Sequence, residues 1–134
     1  MKITKIEVEN FRSIKHYSFD CSDYNVFIGQ NNHGKTNLFE ALSWFDSGKT
    51  TNSDHYDYDT SLEIKIHYTD VQSSIASLID DAQRAKIENK VGEFNEFVIE
   101  KRSSTHKRTL IVDGNDLGAF AGFDAAMNYF LPKI

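Results

Sequence analysis

The nine residues from Gly29 to Asn37, GQNNHGKTN, decide how this chain is read. They fill the pattern G-x-x-x-x-G-K-[ST] with Gly29, Gly34, Lys35 and Thr36, which describes a loop whose successive backbone N–H groups converge on a phosphate. Gly29 and Gly34 let the backbone turn and approach an anion with no Cβ in the way. Lys35 brings a mobile ammonium to β and γ phosphates, and Thr36 offers a hydroxyl to Mg²⁺. Gln30, Asn31, Asn32, His33 and Asn37 complete the candidate nucleotide-contacting set. At His33 two readings stand: a ring contact to phosphate, or a variable loop position whose backbone N–H matters more than its ring.

The flanks agree with a phosphate loop. NVFI (Asn25 to Ile28) is a short β-rich run, and Lys35 to about Ser47 reads as a helix, with Leu38, Leu42 and Phe45 on one face and Gly48 as its cap. Such a helix points its unpaired N–H groups and positive dipole end at the phosphates. A chance match in a polar turn is the alternative, and strand before, helix after and all fixed residues together argue against it. The ligands expected are ATP and Mg²⁺, the metal at Thr36.

At 134 residues the chain suits one domain or one lobe and is small for an ATPase of this kind. Its 40% hydrophobic and 26% charged residues are an ordinary globular mixture, so long disorder is not expected. No run reaches the length of a membrane span, and MKITKIEVEN alternates charge with apolar residues where a signal peptide would carry an apolar block. A cytosolic protein without a membrane partner is expected. Cys21 stands alone and reads as packing or as a spectator. The formal net charge of -5 excludes a global attraction to nucleic acid, leaving only a local patch.

Elsewhere the periodicity changes segment by segment. Lys2 to Phe11 alternates as a strand, and the apolar YSF after RSIKH pairs with it as a hairpin ahead of the loop strand, an order unlike small kinases and GTPases. The polar run Thr50 to Thr60 is an exposed loop; its His55, Asp57 and Asp59 read as a tip, with a metal site as the alternative. Leu62, Ile64, Ile66 and Tyr68 alternate as a half-buried strand. Val71 to about Lys90 reads as one helix, with Asp80–Arg84 and Arg84–Glu88 as wet-side pairs. Strands follow near Glu96–Arg102 and Arg108–Val112, with Ser103 to Lys107 connecting them and Asp113 to Asp116 as a turn; Phe120 to Phe130 reads as a last helix, stopped by Pro132.

Two stretches imitate the buried strand ending in an acid that holds Mg²⁺ in P-loop ATPases. SLIDD (Ser77 to Asp81) has helical period, and TLIVDG (Thr109 to Gly114) suits a hairpin, with an Mg²⁺ role for Asp113 as the alternative. No residue is assigned a catalytic role, and no Ser-Gly-Gly-Gln stretch is present. The dense basic cluster Lys101, Arg102, His106, Lys107 and Arg108 forms one hairpin tip, expected either to touch DNA phosphates or simply to be solvated.

KITKIEVENFRSIKHYSFD followed by NVFIGQNNHGKTNLFEAL resembles the N-terminal segment of ABC-type ATPase heads in the SMC, RecF and overcoming-lysogenisation-defect (OLD) group. The resemblance implies an α/β fold: the N-terminal lobe of a P-loop ATPase head, a mixed sheet with an antiparallel hairpin before the P-loop strand and helices packed on it. Residues 1–134 would be that lobe without the C-terminal lobe that carries the Walker B acid and signature motif. It further implies phosphate and Mg²⁺ roles for Lys35 and Thr36, and a place beside the nucleotide for the turn Arg12-Ser13. The implied partners are a second head, joined by ATP in a homodimer or higher oligomer, DNA in repair or anti-phage defence, and a nuclease domain or partner chain. A self-contained nucleotide-binding interaction module, or one chain of a split ATPase, remains the alternative.

Overall fold

Alternating apolar and charged residues build the sheet, because successive side chains of a strand point to opposite faces. The computed structural model describes residues 1–11, 14–20, 40–45, 61–78, 80–105 and 107–118. In chain order these form β1 (Lys2–Phe11), β2 (Ile14–Asp20), a helical segment α1 (40–45), β3 (Glu63–Thr69), α2 (Val71–Ala76), α3 (Asp81–Val91), β4 (Glu96–Arg102), β5 (Lys107–Val112) and β6 (Asn115–Gly118). The strands join in the order β2-β1-β3-β4-β5-β6, antiparallel at every neighbour. This is the expected α/β class with a hairpin ahead of the phosphate loop. The loop strand 25–28, Cys21, the loop holding His55, Asp57 and Asp59, and the helix expected at 120–130 lie outside the described residues.

One face of the sheet is the core. Ile6, Ile66, Ile99 and Leu110 are successive cross-strand partners over four strands, and each is at most 2% exposed. Burying each such side chain stabilises the fold by roughly 1.5–3 kcal/mol, so this row alone outweighs any surface ion pair below. A neighbouring row runs Val8, Ile64, Lys101, Arg108. On the next, Tyr68 meets Phe97 edge to face, ring centres 5.5 Å apart.

The opposite face is a ladder of charges. His67 Nε2 and Glu7 Oε2 stand 2.8 Å apart, His16 and Glu9 3.2 Å. Arg102 reaches both Glu100 (2.5 Å) and Glu63 (3.4 Å), and Lys65 approaches the same two carboxylates. The His67 contact, followed by nearby charges that outweigh partial burial, holds the Glu7 carboxyl below its ordinary range. Glu100 goes the other way: burial, then the neighbouring Glu63 charge, push it up despite Arg102 and Lys65. Burial opposes the Lys65 ammonium, but Glu63, Glu100 and Glu7 prevail and raise its pKa.

The single helix expected over Val71 to Lys90 is two helices. Asp70 enters α2 in the left-handed region, at φ 57°, and Ser77 ends it. Asp80 then caps α3, its side chain accepting from the backbone N–H groups of Ala82 and Gln83 at 3.0 Å. The expected Asp80–Arg84 side-chain pair is therefore replaced by a cap, while Arg84 turns to Asp81 and to the carbonyl of Leu78 at 2.8 Å. The turn expected over Asp113 to Asp116 is shorter. Asp113 and Gly114, at φ 51° and 76°, make the two-residue turn, and Asn115 and Asp116 already belong to β6.

Candidate functional site

The whole predicted phosphate loop, Gly29 to Asn37, and the turn Arg12-Ser13 lie outside the described residues. What the structure gives is the frame around them. β1 and β2 pair antiparallel up to Phe11 and Ile14, the described residues on either side of Arg12-Ser13. Just before Phe11, Asn10 takes φ 61°, a conformation asparagine tolerates better than most residues. The kink breaks the alternation and buries Asn10 and Phe11 in succession, at 5% and 2% exposed. β1 is thereby fastened into the core immediately before Arg12-Ser13.

On the far side of the loop, α1 continues the predicted helix. Leu42 and Phe45 are buried as their spacing predicts, and Ala41 and Trp44 are buried with them, while Ser43 is exposed. The buried face is broad because two cations rise from the sheet to meet it. Lys101 Nζ donates to the backbone carbonyl of Trp44 at 2.5 Å and stands 4.7 Å from the centre of its ring. The Arg108 guanidinium lies 5.8 Å from the ring of Phe45. Both placements allow cation–π attraction where water is excluded.

This overturns the basic patch expected at the β4–β5 tip. Lys101 and Arg108 are each 4% exposed and point into the core side of the sheet, Arg102 is held by Glu100 and Glu63, and His106 lies outside the described residues. Of the cluster, only Lys107 is exposed with no ion pair among the described residues. The strand alternation carried the signal: Lys101 shares parity with Phe97 and Ile99, and Arg108 with Leu110 and Val112. The tip itself is tied to the start of β3, where Ser103 Oγ accepts from the backbone N–H of Leu62 at 2.9 Å and meets Ser61 Oγ at 3.2 Å.

The acids of the two stretches that imitate an Mg²⁺-binding strand are accounted for otherwise, Asp81 by its pair with Arg84. Asp113 occupies the tip of the β5–β6 hairpin, with Val112 opposite Asn115, and Asp80 is the helix cap described above. Among the described residues no helix is long and apolar enough to cross a membrane.

Comparison with known proteins gives this frame its relatives. The protein is 41% identical over 56 residues to an uncharacterized protein of Methanocaldococcus jannaschii, covering 40% of this chain and 17% of that one. To the DNA replication and repair protein RecF of Lactococcus lactis it is 31% identical over 83 residues, 61% of this chain and 21% of the relative. The Old nuclease of Escherichia phage P2 is 27% identical over 101 residues, 75% of this chain and 16% of its own. The matched stretches thus amount to about a fifth of these relatives or less. A solved structure from work on ATP-driven dimerization and DNA-stimulated activation of SMC ATPases superposes with TM-score 0.59 at 14% identity, over 99% of this chain and 81% of that one, which is a likeness of fold. The family model described as an AAA ATPase domain matches residues 1–121, and with the hairpin, the phosphate-loop pattern and the helix behind it in place, the chain belongs to that family.

Proposed function

We propose that residues 1–134 are the ATP- and Mg²⁺-binding N-terminal lobe of a DNA-acting ATPase of the RecF, OLD and SMC kind, working in the cytosol in repair or anti-phage defence. The observation that carries this reading is a complete G-x-x-x-x-G-K-T pattern just ahead of α1 in the chain, with Trp44 and Phe45 of α1 seated on the sheet. The donor set suits Mg·ATP. By the pattern of the sequence, backbone N–H groups from Gly29 through Asn37, Gln30, Asn31, Asn32 and His33 included, would meet an anion; Lys35 would neutralise β and γ phosphate charge; the Thr36 hydroxyl would ligate the metal. Arg12 and Ser13, which join β1 to β2, would approach the same nucleotide. When bound, Mg·ATP supplies the phosphoanhydride whose cleavage the complete ATPase would use.

In this reading ATP joins two heads, as a homodimer or higher oligomer, and a nuclease domain or partner chain acts on the DNA. The names of the RecF and Old relatives and the subject of the SMC work support those partners by analogy. A second reading, a nucleotide-binding interaction module or one chain of a split ATPase, is favoured by one observation: Asp113 and Asp80 are engaged in a turn and a cap. The test of the shared core is calorimetry of Mg·ATP with wild type and Lys35→Ala. A sharp fall in affinity is expected; equal affinities would sink the phosphate-loop assignment. Added C-terminal lobe or partner chain restoring turnover would then separate the ATPase from the module.

A further inference from the structure

We draw no further inference here: the strongest candidate, the surface patch at the turn between α3 and β4, where Gln72 Nε2 pins the carbonyls of Gly92 and Phe94 and where Phe94 is 47% exposed beside exposed Glu93 and Glu96, carries nothing, since nothing in the structure shows what covers it.

Discussion

Lys101 and Arg108 face each other across β4 and β5 with both charges turned into the core side of the sheet, whereas their sequence neighbours Arg102 and Lys107 form the adjacent pair on the polar side. A cluster that reads as one patch in the sequence is therefore split between two environments. Arg108→Glu should destabilise the fold by about 3 kcal/mol or more, because it puts a carboxylate where a buried guanidinium was accommodated. Lys107→Glu should stay within about 0.5 kcal/mol of wild type. Urea unfolding of the two single variants checks this; equal midpoints would return both residues to the surface.

At Thr36 the prediction concerns metal dependence. Removing the hydroxyl in Thr36→Ala should weaken Mg·ATP more than ATP in excess chelator, since the hydroxyl is assigned to the cation and not to the phosphates. Calorimetry in both buffers measures the difference. A loss of the same size with and without Mg²⁺ would take the metal away from Thr36.

Asp113 sits at the first turn position with φ 51°, where asparagine is at home. Asp113→Asn should leave stability and Mg·ATP affinity as they are. A loss of Mg²⁺-dependent binding or turnover in this variant would restore the strand-end acid reading of TLIVDG and contradict the hairpin.

The cap on α3 is open to a simple test. Asp80→Ala leaves the N–H groups of Ala82 and Gln83 without their side-chain acceptor and should cost about 1 kcal/mol. For a domain of this size that is a drop of roughly 3–6 °C in melting temperature. Asp80→Asn or Asp80→Ser should recover most of it, and recovery by Asp80→Glu alone would point to an ion pair instead.

Stability should also carry the mark of Glu100. Its folded-state pKa lies above the ordinary value of 4.5, through burial first and the Glu63 charge second, so the native protein binds a proton that the unfolded chain releases. That contribution is fully present below the unfolded pKa and is lost as pH rises through the folded one. Glu7, held below 4.5 chiefly by His67, works oppositely and matters only as pH falls past that value. Between the two, Glu100→Gln should flatten the fall of the urea midpoint with rising pH; an unchanged slope would show that Glu100 is not its source.

The strands were the legible part of the sequence. β4 was readable to its end residues because Phe97, Val98 and Ile99 make a short apolar, β-rich run flanked by Glu96 and Glu100 and followed by a polar connection. The break between α2 and α3 was hidden, since Ile75, Leu78 and Ala82 keep helical spacing straight through it. Asp80 three residues before Gln83 has the spacing of a capping box, and that signal competed with an equally good ion-pair spacing to Arg84. β6 was missed because Asn-Asp-Leu-Gly has little strand propensity of its own; it is a strand because Val112 and Ile111 give it an edge to pair with. Burial of Lys101 and Arg108 follows from parity, and charge clustering obscured it. The motif itself was the clearest text in the chain, yet its residues lie outside those the structure describes.

The order of the sheet also bears on how the chain folds. β1 carries β2 on one edge and β3 on the other, and both run antiparallel to it, so β2 ends beside Lys5 and β3 begins beside Glu9. The strands β3 to β6 close through shorter connections, and the β1–β2 hairpin closes through two residues. Loop-closure entropy therefore favours two early units, one at each end, with the β1–β3 ladder as the late step. GQNNHGKTN lies in the stretch of chain between β2 and β3, so the two ends of that stretch are brought into register only when the sheet is finished.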